Sequence, residues 1–257
     1  MRRAVEGRKI VLAVSGGRDS MVLLHAAARA APSSVAAVAT FDHGTGPAAT
    51  RAAALVASVG ARLGFPVVMG HAATVGTSEE EWRGERRRFL SEVADRTGAV
   101  VATAHTRDDQ LETVLMRVLR DAGARGLAGL YAPADTLRPL LEFTRDEVTA
   151  YAFERDVMWV DDPTNESMRY FRNRVRRDLL PALARVHPAF GEQLLGLSRR
   201  AGEWRARIDA VVARLAQVSP GRESVRVSVG DLSPYSPAEL SSVWPAIAAR
   251  VGLAMDR

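Results

Sequence analysis

Ile10-Val11-Leu12-Ala13-Val14-Ser15-Gly16-Gly17-Arg18-Asp19-Ser20-Met21-Val22-Leu23-Leu24 is the stretch on which the fold turns. Its first five residues are a short apolar run with charge before it and glycine after it, the pattern of a parallel strand buried on both faces. Beyond the glycines, Met21, Val22, Leu24, His25 and Ala28 recur at helical spacing, and Asp19 and Ser20 stand where a helix takes its cap. Strand, glycine turn and helix in that order aim unpaired N–H groups and the positive end of a helix dipole at one point beyond the sheet, where an anion is stabilised. Gly16 and Gly17 let a phosphate approach the main chain, and Ser15 and Ser20 add hydroxyl donors. The expected phosphate-binding set is Ser15, Gly16, Gly17, Arg18, Asp19 and Ser20.

Further apolar runs continue the pattern. Residues 35–41 end in Asp42-His43-Gly44, residues 67–69 form a third run, and residues 99–103 lead to His105 and Asp108-Asp109-Gln110-Leu111-Glu112-Thr113. Helical spacing lies between them, with Leu55, Val56, Val59 and Leu63 on one face of one such segment. The expected class is α/β: a Rossmann-like open parallel sheet with helices on both faces. Ligands of such sheets collect at the carboxyl ends of strands, which makes Asp42 and His105 candidate catalytic groups beside the glycine turn. A strand-end turn is the competing reading of Asp42. Asp109 and Glu112 are three residues apart on a helix that Thr106 caps, so they face the same way at the active end of the sheet. Two carboxylates near phosphates need magnesium or a cationic substrate to offset their repulsion.

The helix opening at Ser78-Glu79-Glu80-Glu81 reads as a capping box and places Arg83, Arg86 and Arg87 within one turn. Gly123, Gly126 and Gly129 read as a flexible connection that closes over a nucleotide, and Thr144 with Glu147 as another capping box. After the turn Asp161-Asp162-Pro163-Thr164-Asn165 come Arg169, Arg172, Arg174, Arg176 and Arg177, interleaved with Tyr170 and Phe171. That pattern suits a helix binding an RNA backbone or stacking on bases; an amphipathic helix with Phe171, Val175, Leu179 and Leu180 in the core accounts for it as well. Phe190, Leu194, Leu197, Trp204, Ile208, Val211 and Leu215 mark one long amphipathic helix whose other face carries Arg199, Arg200, Arg205, Arg207 and Arg214. A short strand over 225–229 and a last helix interrupted by Pro245 follow. Two domains are expected: residues 1–186, catalytic, and a smaller, mainly helical unit, residues 187–257.

The 257 residues are 47% hydrophobic, enough for one α/β core and an appendage, with no run of membrane-spanning length. The charged start Met1-Arg2-Arg3-Ala4-Val5-Glu6 is unlike a signal peptide, so a cytoplasmic protein with no membrane partner is expected. Absence of cysteine excludes disulfides, thiolate metal sites and persulfide chemistry. Lys9 is the only lysine among 35 basic residues, so the +5 net charge is presented by arginine forks suited to phosphate and to base stacking.

Ser15-Gly16-Gly17-Arg18-Asp19-Ser20 lacks the Gly-Lys-Ser/Thr ending of the common triphosphate loop. It resembles the PP-loop of enzymes that split ATP between its α and β phosphates and pass AMP to a substrate oxygen. With Asp42-His43-Gly44, Arg83-x-x-Arg86, Ala104-His105-x-x-Asp108-Asp109-Gln110-x-Glu112-Thr113, Arg138-Pro139-Leu140-Leu141, Asp161-Asp162-Pro163-Thr164-Asn165 and Arg172-Asn173-x-x-Arg176 in order, the chain resembles the tRNA(Ile)-lysidine synthetase family over residues 9–186, and more weakly beyond. It departs from the family at Thr45 and Gly46, in place of Leu-Arg, at Arg87, in place of tyrosine, and at Asp121, in place of glycine. The resemblance implies ATP with Mg²⁺, a CAU-anticodon tRNA(Ile) and free L-lysine: the cytidine at the first anticodon position is adenylated at carbon 2, and the lysine ε-amine displaces AMP. It implies that Asp109 and Glu112 orient the lysine ammonium and draw off its proton. Arg83 and Arg172 resemble cationic clamps on phosphate and flipped base, and Arg86, Asp108, Asn173 and Arg176 complete the implied substrate-binding set. The metal ligands stay unassigned, and a homodimer stays open. Two other readings compete, a PP-loop ligase amidating a small carboxylate and a non-catalytic nucleotide-binding regulator. Docking led by arginines predicts that log Kd for tRNA rises steeply and linearly with log salt in a filter-binding titration; a flat response would oppose it.

Overall fold

The computed structural model describes residues 1–44, 46–72, 79–161, 167–219 and 224–253. A short helix, α1 (Arg2–Val5), leads into β1 (Ile10–Ala13), α2 (Arg18–Ala30), β2 (Val35–Asp42), α3 (Pro47–Arg62) and β3 (Val67–His71). Then come α4 (Glu79–Thr97), β4 (Val100–Ala102), α5 (Arg107–Val118), α6 (Ala124–Leu127), β5 (Thr136–Leu137) and α7 (Arg145–Glu154). The remainder is α8 (Phe171–Arg174), a π-helical turn Val175–Leu179, α9 (Leu180–Val186), α10 (Phe190–Leu215), β6 (Ala216–Val218), β7 (Val225–Val227), α11 (Val229–Leu232) and α12 (Pro237–Ala248).

The five strands β1 to β5 make one parallel sheet in the order β3-β2-β1-β4-β5, with Ile10 in register with both Val35 and Val100. Strand order reverses between β1 and β4, so the turns leaving these two strands open side by side at the carboxyl edge. Ile10, Leu12 and Val38 pack against Met21, Leu24, Val56, Val148 and Ala152 on one face; Val11, Ala37 and Ala39 pack against Val93 and Phe89 of α4 on the other. Burial on both faces is the reason these strands read as unbroken apolar runs. The expected class, an open parallel sheet covered by helices with a helical C-terminal region, is the class observed.

The chain divides into two compact units, Met1–Thr113 with Ala134–Pro188, and Val114–Pro133 with Ala189–Arg257. This departs from the single cut expected after residue 186, because Val114–Pro133 belongs to the second unit. The glycine-rich stretch there is corrected from a flexible lid to packed structure: Ser198 donates to the Ala128 carbonyl at 3.2 Å, and Gly202 lies so close to Tyr131 that an added Cβ would come within 2.9 Å of the Tyr131 Cβ. These contacts also turn the first half of α10, which buries Leu194, Leu195, Ser198 and Gly202 and leaves Leu197 exposed, contrary to the expected apolar stripe. Asp121, where the resemblance expects glycine, takes φ 53°, a left-handed conformation that aspartate tolerates better than most residues. Further on, Val212, Val243, Ala246 and Ile247 form a small core with the β6-β7 hairpin, and α12 runs through Pro245.

The π turn has a local cause. Pro181 has no N–H to give to the carbonyl of Arg177, and its ring crowds that oxygen, so the ladder widens and Leu180 N–H reaches back five residues to Val175. Ser78 and Asp162-Pro163-Thr164-Asn165, singled out in the sequence, lie outside the described residues.

Gly16 is required twice over: its φ is +85°, and a Cβ there would stand 2.7 Å from both the Cβ and the carbonyl oxygen of Ala52 on α3. Gly16→Ala is expected to cost about 1–3 kcal/mol in a denaturant titration. Gly17→Ala, whose Cβ meets only the Ser15 hydroxyl at 3.7 Å, is expected to cost about 1 kcal/mol or less.

Candidate active site

The turn leaving β1 is built mostly from main-chain groups. Gly17, in an extended conformation, is the N-cap of α2, and no side chain caps the helix, so its first N–H groups are left for a ligand. This corrects the expectation that Asp19 and Ser20 cap the helix. Ser20 Oγ instead accepts from the Ser15 N–H at 3.1 Å and donates to the Gly17 carbonyl at 2.8 Å, closing the turn, with Ser15 Oγ 3.2 Å away. Asp19 pairs with Arg18 Nε at 3.1 Å. The Gly16 carbonyl accepts from the Val160 N–H at 3.0 Å, which ties the segment after α7 to the turn.

At the end of β2 the structure favours the strand-end reading of Asp42. Buried, it accepts from the Gly44 N–H at 2.9 Å and the Thr50 hydroxyl at 3.1 Å, so it fastens the start of α3 to the strand. At the end of β4, His105 Nδ1 lies 2.8 Å from the Thr103 hydroxyl. Burial pushes its pKa down to about 4 against the pull of Asp109, with Arg138, Arg172 and Arg86 adding to the fall, so the imidazole is neutral at physiological pH.

α5 and α7 meet start to start. Arg107 N–H donates to the Phe143 carbonyl at 2.8 Å, and Asp108 Oδ2 accepts from the Arg145 N–H at 2.7 Å. Thr106 and Asp109 form a capping box in which one carboxylate oxygen, Oδ2, takes the Thr106 N–H at 2.8 Å and hydroxyl at 2.9 Å. Asp109 Oδ1 is left to face Arg172 Nη2 at 3.0 Å and Arg145 Nη2 at 3.3 Å. One turn on, the Glu112 side chain is 1% exposed and shared by three guanidiniums: Arg176 Nε at 2.6 Å, Arg172 Nε at 2.7 Å and Arg145 Nη2 at 3.2 Å. Burial by itself would raise both carboxyls, but these arginines, with Thr106 at Asp109, hold both below the usual carboxylate range. In return Glu112 holds the Arg176 guanidinium above its ordinary pKa despite burial.

The sequence-derived set is thus partly assembled. Asp108, Asp109, Glu112, Arg172 and Arg176 come together, and the charge of Asp19 in the phosphate turn reaches Arg176. Arg86 acts on both His43 and His105, while Arg83 is exposed on α4. Asn173 is buried and donates to the Ser167 carbonyl at 2.8 Å, a role in holding its own segment. Arg145 was missed. It follows the capping Thr144 directly and stands 33 positions from Glu112, a separation that local pattern does not bridge. Among the described residues no three His, Asp or Glu side chains are gathered to hold a metal ion, and no helix is long and apolar enough to cross a membrane.

A glycine turn at the switch point of a parallel sheet defines a nucleotide-binding α/β domain, and residues 1–183 match the family model described as a PP-loop domain. The chain is 38% identical over 230 residues to the tRNA(Ile)-lysidine synthase of Solibacter usitatus, covering 86% of this chain and 52% of that protein. It is 37% identical over 262 residues to that of Salinispora tropica, covering 95% and 77%. The chain belongs to the tRNA(Ile)-lysidine synthase family. It spans about half the length of the Solibacter relative and about three quarters of the Salinispora one. In fold it is similar to the U34-tRNA thiolase NcsA of Methanococcus maripaludis, determined with its [4Fe-4S] cluster, at a TM-score of 0.63 and 20% identity over 79% of this chain and 76% of that one.

The depressed His105 pKa makes a stability prediction. Unfolded, the imidazole binds its proton near pH 6.5; folded, near 4, so the neutral form's contribution is complete above pH 6.5 and is lost as pH falls towards 4. His105→Gln is expected to flatten the pH dependence of the melting temperature across that window, and an unchanged slope would refute the burial argument.

Proposed function

We propose that the chain ligates lysine to carbon 2 of the first-anticodon-position cytidine of a CAU tRNA(Ile), consuming ATP and releasing AMP and pyrophosphate. The observation that carries the reading is the juxtaposition of an uncapped, glycine-built anion turn with a cluster of paired carboxylates and arginines at one edge of the sheet. Membership of the lysidine synthase family gives that juxtaposition its chemistry.

In this reading the turn receives the β and γ phosphates, which leave as pyrophosphate when the cytosine oxygen attacks the α phosphorus. Adenylation turns that oxygen into a good leaving group, and the lysine amine attacks carbon 2 as AMP departs. Glu112 and Asp109 are ionised and hydrogen-bonded, which suits them to attract and aim an ammonium group. As Arg172 and Arg176 turn to phosphate the pair loses two of the charges that depress it, and one of the two carboxylates takes the proton that the ammonium must lose before the amine attacks, the part that the resemblance implies. Arg172 and Arg176 stand ready to exchange a carboxylate for a phosphate, and Arg83 and Arg86 extend the cationic edge. Mg²⁺ fits as an ion carried by the triphosphate, with Asp19 in the phosphate turn as a carboxylate that could help hold it, and would spread the charge of the departing pyrophosphate. The unit of Met1–Thr113 with Ala134–Pro188 performs the catalysis, and the other grips RNA through Arg200, Arg207 and Arg214 on the exposed face of α10, where Arg199 lies over the Tyr131 ring. Arg205 is excluded from that face because it turns to Asp209 at 3.7 Å. The reaction is cytoplasmic.

A ligase for a small carboxylate has no use for Arg172 and Arg176 on a polyanion-binding segment. Pyrophosphate release measured with ATP, lysine and CAU tRNA(Ile), each omitted in turn, is expected to need all three. Release that persists without tRNA, or no release at all, would overturn the proposal.

A further inference from the structure

Of the three arginines on Glu112, Arg145 is held differently. Its main-chain N–H is bound by Asp108 Oδ2 at 2.7 Å, and it is the first residue of α7, directly behind a complete capping box between Thr144 and Glu147. Its Nη2 bridges Asp109 Oδ1 at 3.3 Å and Glu112 Oε1 at 3.2 Å. Arg172 and Arg176 come instead from α8 and the π turn, the segment that the reading above commits to phosphate.

We propose that Arg145 is a positioning residue: it remains on Asp109 and Glu112 as their fixed counter-ion when Arg172 and Arg176 turn to nucleotide or RNA phosphate, and so keeps both carboxylates charged and aimed at the ammonium group of the incoming amino acid. The proposal rests on the function proposed above. Its physical basis is that two carboxylates one helical turn apart, one of them buried, cannot both stay ionised once their cations are withdrawn. The charged and titratable groups around the pair are Asp108 on α5, Arg145 on α7, Arg172 on α8, Arg176 in the π turn, His105 after β4 and Asp19 on α2. Of the three arginines that touch Glu112, only Arg145 has its main chain anchored by an acid of α5 itself.

Two substitutions test this. In Arg145→Gln the acid limb of lysine-dependent turnover is expected to move up by about one pH unit or more, so that activity falls further at pH 6 than at pH 8.5. Arg145→Lys, which keeps a cation at nearly the same reach, is expected to restore most of the profile. An equal loss at every pH in both variants would assign Arg145 a merely structural part and overturn the proposal. A second readout does not depend on turnover: the ¹³C carboxyl titration of Glu112, assigned with Glu112→Gln, with inorganic pyrophosphate present to draw on Arg172 and Arg176. Its midpoint is expected to stay low in the parent protein and to rise in Arg145→Gln, and identical midpoints would overturn the proposal. If the parent protein shows no lysine-dependent turnover, the proposed function fails while the titration still decides the role of Arg145.

Discussion

The rest of the site depends on one buried carboxylate. Glu112 is almost wholly removed from water, where an unpaired charge costs several kcal/mol, and it is stabilised because guanidiniums from two other stretches of the chain close on both of its oxygens. The arrangement therefore joins α5, α7 and the α8 segment at one residue. Stripping a buried carboxylate of all its cations would cost about 3–5 kcal/mol, because the charge would then stay buried without compensation; three guanidiniums share that task at Glu112. The same ion pairs keep the carboxylate charged, and a carboxylate held charged in a low-dielectric setting exerts a stronger field on a cation than one in water.

The two helix starts explain why the acids are where they are. α5 and α7 present their N-termini to each other, and Asp108 and Asp109 take N–H groups from both. Acidic residues in the first turn of α5 thus serve the two helix starts, and Asp109 Oδ1 and Glu112 are left for the closest contacts with the arginines. The division of labour within Asp109, one oxygen for the capping box and one for the ion pairs, fixes the direction of the second.

The sheet and the phosphate turn were legible in the chain because both rest on local patterns: apolar runs for strands buried on two faces, and glycine where the backbone needs φ +85° against Ala52. The pairing of Asp109 with Glu112 was legible from helical spacing alone. What the pattern did not carry was distance in sequence. Nothing near residue 112 announces Arg145, 33 positions later, and the role of Gly202 depends on Tyr131, which helical periodicity does not encode. The bonds of Asp42 to Gly44 and Thr50 were hidden for a related reason, because a carboxylate at a strand end looks alike in sequence whatever it meets.

The bond from the Val160 N–H to the Gly16 carbonyl lies entirely within the main chain. Every amino acid but proline can supply that donor, so the tether between the nucleotide turn and the polypeptide leading into the arginine helix is indifferent to side-chain drift at position 160. Mutation can redecorate position 160 over long divergence while this mechanical stitch persists unaltered, Gly16 being held to glycine by its own backbone.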